Sequence, residues 1–418
     1  VARYVQPTSG ALRAANRASI VRVLRHVGWA TRAELVEHTG LSRATVSSVL
    51  TELSERGLIT ERPLAHPRGH GRPPARVGLN KSAGSAIAVD IGVRHVAVAV
   101  GDLSHSILAE RWTTVPRGHT AAGGTQLVLS SIEEAVAQSG VDPEELVGAA
   151  ISIAAPVAGN SGPLAVSKVL PGWNESTLAE RVAARWAIPV AIENDANLGA
   201  LAEIIARPVA DDVDVLYVKV ASRIGLGIVR GNRILRGRNG YAGEFGHVTV
   251  RAEGELCWCG RRGCLELYAG GDGMLRRLGA GQPSIGSIAR LIDQASTSPQ
   301  AGQVVRDGAA MLARALADVA VVLDPARIVL GGELTALGDL LQEPIRRELE
   351  SLPFGDAVEL SVSPLGERAS LVGALGLVLT ESTRFADRSQ IDQPARSSPV
   401  TRVSVPPMSL ASSQGVRP

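Results

Sequence analysis

Two apolar periods divide this chain. From residue 11 to about 60 the spacing is helical. Ile20, Val23, Leu24 and Val27 share one face of a helix over residues 11–28 that Gly28 ends. Thr31 followed by Glu34 is a capping-box start for a second helix through His38, closed by Thr39-Gly40. Ser42 caps a third, whose Val46, Val49, Leu50 and Leu53 fall together, and Gly57 stops it before a strand opens at Leu58-Ile59. Three short helices and a strand in this order read as a helix-turn-helix with a following wing.

From Ala86 the period shortens to two. Strands are expected at residues 86–90, 95–100 and 107–115, then a helix near 126–138 and a strand at 147–154. That is the meander, helix, strand order of one lobe of the actin and hexokinase-like fold. Pro189–Ile192 reads as a strand running into Glu193-Asn194-Asp195-Ala196-Asn197, with a helix from there to Ala206. A second strand set covers 213–220, 225–229 and 232–235, followed by helices around 284–294 and 302–323, a buried strand at 327–330 and a last apolar helix at 369–380. From about Ala386 the chain is Ser, Pro, Gln and Arg without period and is expected to be disordered. The expected organisation is a DNA-binding unit with wing and linker at 1–80, an α/β body at 81–385 and a tail at 386–418.

Composition adds compartment and partners. With 45% hydrophobic and 20% charged residues the chain is a globular protein. No long uncharged apolar run and no secretion-like segment is present, so a cytoplasmic protein without a membrane partner is expected. The net charge of +2 hides an asymmetry: residues 1–80 hold twelve Arg and five Glu, a net of +7, leaving −5 for the remainder. A basic unit on a mildly acidic body suggests a polyanion for the first part and a different ligand for the second.

On the third helix Ser42, Arg43, Thr45, Ser47, Ser48 and Thr51 lie off the apolar face, short donors and acceptors suited to phosphates and base edges of operator DNA. A three-helix protein-binding module with solvated hydroxyls is the alternative. In the Arg-, Gly- and Pro-rich stretch 62–76, Arg72 between Gly71 and Pro73 suits a narrow minor groove, and a plain flexible linker suits the composition as well.

All three cysteines fall within nine residues of one another. Cys257 and Cys259 are one residue apart, Cys264 follows a Gly260-Arg-Arg-Gly263 turn, and His247 lies ten residues before Cys257. A Cys3His set satisfies a closed tetrahedral zinc site. Ordinary thiols, or a redox pair at Cys257 and Cys259, remain open on spacing alone.

The run from Glu244 to Glu266 resembles the signature of the ROK family (repressors, open reading frames and sugar kinases): Glu-x-Gly-His, then Cys-x-Cys-Gly-x-x-Gly-Cys-x-Glu. The resemblance spans residues 16–382 and implies an N-terminal winged helix-turn-helix ahead of a two-lobed actin/hexokinase-like (ribonuclease H-like) α/β domain, assembled as a homodimer or homotetramer. It implies that His247 ligates zinc with one ring nitrogen and faces a sugar with the other, that Glu244 and Glu266 take sugar hydroxyls, and that Asn194 and Asp195 complete the site. In the family's kinases the Asp195 position is the base. Two phosphate-holding loops of those kinases are altered here: Asp-x-Gly-Gly-Thr is Asp90-Ile91-Gly92-Val93-Arg94, and Gly-Thr-Gly-x-Gly-x-Gly is Ala221-Ser222-Arg223-Ile224-Gly225-Leu226-Gly227. Crowding both loops works against phosphoryl transfer, which depends on positioning and charge neutralisation. Gly331-Gly332 resembles the family's adenosine-side glycine pair. Ser167–Trp173 resembles its Asn-Leu-Pro-Gly-Trp segment with Val169 in place of Asn. The expectation is a regulator, most simply a repressor, answering to a sugar or sugar phosphate, with an active sugar kinase as the alternative.

Overall fold

The computed structural model describes residues 9–63, 75–115, 121–157, 177–207, 213–231, 233–279, 286–353 and 358–381. Arg72, the segment 167–173 and the tail from 386 lie outside the described residues.

The N-terminal unit forms as the apolar spacing dictates. Helix α1 (Ser9–Val27) is followed by strand β1 (Trp29–Thr31), then α2 (Arg32–Thr39) and α3 (Arg43–Glu55). The capping box is made: Thr31 Oγ1 accepts from the Glu34 amide at 3.2 Å and the Glu34 carboxylate accepts from the Thr31 amide at 2.7 Å. Gly40 closes α2 in the left-handed conformation, which glycine adopts without cost. Val46, Val49, Leu50 and Leu53 are all buried against Ile20, Val21 and Leu24. Val27 is exposed instead, because α1 ends there and its inward face is completed by Val21. Strands β2 (Ile59–Pro63) and β3 (Ala75–Leu79) are the wing, in a sheet of order β1-β3-β2.

The body consists of two sheets of identical topology. In the first, β4 (Ser85–Ile91), β5 (His95–Asp102), β6 (Ile107–Thr114), β7 (Leu146–Ile153) and β8 (Val190–Asn194) lie in the order β6-β5-β4-β7-β8. In the second, β9 (Asp214–Val220), β10 (Ile224–Arg230), β11 (Arg233–Ile234), β12 (Arg327–Gly331) and β13 (Glu359–Val362) lie in the order β11-β10-β9-β12-β13. Each pairs its meander antiparallel and then adds two parallel strands.

Helices α4 (Ala121–Ser139) and α5 (Leu178–Trp186) accompany the first lobe. Helix α6 (Asp195–Ala206) packs on β9 and β10 of the second lobe; the later helices are α7 (Glu266–Ala269), α8 (Gly271–Arg277), α9 (Ser287–Thr297), α10 (Pro299–Leu323), α11 (Asp339–Glu350) and α12 (Ala369–Glu381). Helix α12 packs on β4 and β7 of the first lobe and on α6, so the α6–α12 pair lies between the two sheets. The helices meet backbone to side-chain-free face: a Cβ at Gly373 would sit 1.9 Å from the Leu198 carbonyl oxygen, and one at Gly376 would sit 2.0 Å from Ile205. Among the described residues no helix is long and apolar enough to cross a membrane.

Candidate functional site

The cleft opens where β4, β8 and β9 end. Asn194 and Asp195 from one stretch of sequence, Glu244 and His247 from a second and Glu266 from a third line one pocket together with Arg94 of the first lobe and Lys219 and Arg223 of the second. Strand β8 carries Asn194 to the start of α6, where its side-chain oxygen accepts from the amides of Ala196 at 2.9 Å and Asn197 at 3.2 Å. Its side-chain amide donates to the Ala155 carbonyl at 3.2 Å. Asn194 is therefore a helix cap and a pocket residue at once. Asp195 accepts from the Ala196 amide at 2.8 Å with one oxygen and from Lys219 Nζ at 2.7 Å with the other.

Lys219 is the functional group that sequence reasoning missed. It is the only charge between Val215 and Val220, an inward polar position in an apolar strand, and that was its signal. Burial pulls its ammonium down, but the carboxylates of Asp195 and Asp90 outweigh this and hold it far above the ordinary lysine range. Asp90 is fixed beside it by the His95 ring at 2.9 Å and by the Ser152 hydroxyl. Two further ties were also not foreseen. Arg94 crosses from the first lobe to Asp272 and Ser222 of the second, and Arg236 pairs with buried Glu193 behind Asn194.

Glu244 is pushed up to about 7 by burial and by the nearby Asp195 and Glu266 carboxylates. Glu266, buried at the start of α7, accepts from the Trp258 indole and lies 3.5 Å from Arg223, whose guanidinium also stacks 5.1 Å above the Trp258 ring. His247 lies between the two glutamates, Nε2 3.8 Å from Glu244 and Nδ1 3.8 Å from Glu266.

The ring's Nδ1 also lies 3.6 Å from Cys257 Sγ, and Cys259 Sγ lies 3.7 Å from Cys264 Sγ. All four ligand atoms fall within 4.8 Å of one another. A tetrahedral ion with metal–sulfur and metal–nitrogen bonds of the lengths found for zinc has edges of about 3.8 Å between sulfurs and about 3.5 Å between sulfur and nitrogen. The donor set fits such an ion, so the four side chains could hold a metal. Gly263 makes the turn possible: at φ +65° a Cβ there would stand 1.6 Å from the Arg251 carbonyl oxygen. Nε2, the nitrogen away from the cysteines, is the one beside Glu244 in the pocket.

On the N-terminal unit Ser42, Arg43, Ser47, Ser48 and Thr51 are exposed along α3 and Thr45 is half-buried. Ser42 caps the helix through the Thr45 amide at 3.1 Å and shares a hydrogen bond of 2.8 Å with the Thr45 hydroxyl, while Thr51 donates to the Ser47 carbonyl at 3.0 Å. Arg43, Ser47 and Ser48 thus present the freest polar groups of this face.

A winged helix joined to a two-lobed, hexokinase-like cleft defines a class of two-part proteins in which one part has the form of a DNA reader and the other of a small-ligand receptor. The chain belongs to the ROK family, whose pattern matches residues 86–381, and residues 17–72 match the MarR family. It is 28% identical to the xylose repressor of Bacillus spizizenii, over 84% of this chain and 91% of that protein. The crystal structure of a ROK family transcriptional regulator, a homolog of the E. coli MLC protein, superposes with a TM-score of 0.68 at 22% identity, covering 89% of this chain and 98% of that one. A ROK family glucokinase from Streptomyces griseus, solved with glucose and AMPPNP, superposes with a TM-score of 0.60 at 30% identity, covering 70% of this chain and 99% of that one.

Proposed function

We propose that the chain is a sugar-responsive transcriptional repressor. Its winged helix binds operator DNA through Ser42, Arg43, Thr45, Ser47, Ser48, Thr51 and Arg72, and its cleft binds a sugar or sugar phosphate through Asn194, Asp195, Glu244, His247 and Glu266. Zinc held by His247, Cys257, Cys259 and Cys264 is structural and orients the histidine toward the sugar. The division falls at about residues 80 and 385, and the active form is a homodimer or homotetramer, so that two winged helices read a two-fold site. The observation that carries this reading is the attachment of an exposed, hydroxyl-rich recognition helix to a cleft lined by carboxylates and an imidazole.

The same cleft supports a receptor over a phosphotransferase. Lys219 engages the carboxylate of Asp195 that a base would need free, and Arg94 extends from one altered phosphate loop to Ser222 of the other. Sugar that binds one arrangement of the lobes more tightly shifts the chain toward it and thereby changes the spacing of the winged helices.

The test is operator selection from sheared genomic DNA at stated salt, followed by affinity for the selected site with D-xylose, D-glucose and their phosphates added. The expected result is a two-fold site whose affinity one of these lowers, with the response abolished by Glu244→Ala. An unchanged response in that variant removes the sugar site as assigned, and ADP release from ATP with any of the sugars would favour the kinase alternative.

A further inference from the structure

Resting on the repressor reading, the contact between the winged helix and the body deserves a specific role. One continuous core joins them: Ile20 and Leu24 of α1 belong to the same buried cluster as Leu103 of the β5–β6 hairpin and Leu371, Leu375 and Leu379 of α12. At its edge toward the body lies a cation of α1, Arg25. Arg25 donates from Nε to the Leu103 carbonyl at 3.3 Å and from a terminal nitrogen to the Leu379 carbonyl at 3.4 Å.

The second acceptor is the telling one. Leu379 lies in the C-terminal part of α12, so the bond grips that helix far from its start. The other end of α12 reaches the sugar site, since the Ser370 hydroxyl lies 3.5 Å from the Asp195 carbonyl oxygen. Between these ends α12 is seated on α6 at Gly373 and Gly376 with no side chain to slide over, so the pair has little freedom to move except together. Asn194 and Asp195 begin α6.

We propose that Arg25 is the positioning residue that couples the cleft to the winged helix. A displacement of the start of α6 on sugar binding moves α12 as a rod, and the forked guanidinium, tied to α12 and to the first-lobe hairpin, converts the shift into a rotation of α1. The planar fork suits the arrangement, because two of its acceptors come from different elements.

The experiment uses the full chain, an operator fragment selected by the wild type, and D-xylose or, where the wild type answers to it instead, D-glucose. Operator Kd is measured with and without saturating sugar, and sugar Kd by calorimetry. For Arg25→Gln both separate affinities stay within about twofold of wild type, while the ratio of operator Kd values with and without sugar falls toward one. Arg25→Lys, which keeps the charge and loses the fork, gives an intermediate ratio. A full ratio in Arg25→Gln overturns the proposal, as does loss of sugar-free operator binding, which marks Arg25 as a merely structural support. A wild type that binds its operator and ignores every sugar refutes the repressor reading itself, and the coupling role with it.

Discussion

Replacing Lys219 with Met tests the centre of the cleft. Methionine keeps the length and apolar stem of the side chain and removes the ammonium. Asp195 then loses its partner at 2.7 Å, and Asp90 loses a nearby positive charge. Breaking a buried pair by deleting one partner costs about 3–5 kcal/mol. The two side chains here are 19% and 13% exposed, so water offsets part of the loss, and about 2–3 kcal/mol is the better expectation. At about 2.1 cal/mol/K of unfolding entropy per residue, a body of about three hundred residues shifts by roughly 1.6 °C per kcal/mol, so the unfolding midpoint should fall by about 3–5 °C at pH 8. Burial pushes the Asp90 carboxyl up, but His95 and then Lys219 outweigh this and hold it below the usual carboxylate range, so without the ammonium Asp90 takes up a proton more readily and the gap between variant and wild type should narrow at pH 5. Adding Asp195→Asn to Lys219→Met should recover much of the loss, because it removes the charge the lysine was balancing. The assay is thermal unfolding of the four chains of the cycle at both pH values. A Lys219→Met chain that melts within a degree of wild type at pH 8, or a double variant no better than the single, refutes the reasoning.

Two further outcomes follow from the same structure. Cys264→Ser should abolish a near-stoichiometric metal content measured by elemental analysis and lower the unfolding midpoint by several degrees; equal metal in variant and wild type removes the zinc assignment. His105, at the hairpin tip beneath Arg25, has both ring nitrogens buried without a hydrogen-bond partner among the described residues, and burial and then Arg25 push it down to about 3. Its folded value lies below the ordinary 6.5, so the unfolded chain takes the proton first, and stability is lost as pH falls below about 6.5. From pH 6.5 to 5 this amounts to about 1–2 kcal/mol. His105→Asn, whose side chain tolerates the positive φ of 63° at this position, should flatten that part of the stability profile; an unchanged acid slope would count against the buried neutral ring.

The outline of the molecule was legible because its signals are local. Thr31, Glu34, Gly40, Ser42 and Gly57 set the ends of the N-terminal helices by hydrogen bonds and backbone angles that reach only a few residues. The strands of both lobes followed from alternating apolar positions, which bury one face whatever they pair with. What escaped were elements whose stability comes from their neighbours. Strand β13, Glu359–Val362, alternates polar and apolar over only four residues, its burial does not follow that alternation, and it exists because β12 pairs with it in parallel; α7 and α8 are short pieces near the cysteine loop.

The cleft divides along the same line. By itself the sequence determined which side chains were candidates for a metal and for a cleft ligand, since Glu244 to Glu266 carries its glutamates, histidine and cysteines in one run and Asn194-Asp195 sits at a readable strand end. Only the tertiary structure decided that Lys219 would face Asp195, that Arg94 would reach Asp272 across the two lobes, and that Arg25 would end on the carbonyls of Leu103 and Leu379. Those partners are separated by 24, 178, 78 and 354 residues. A charge's partner is set by distance in space, and no local pattern encodes a distance that only the packing of two sheets around α6 and α12 brings about.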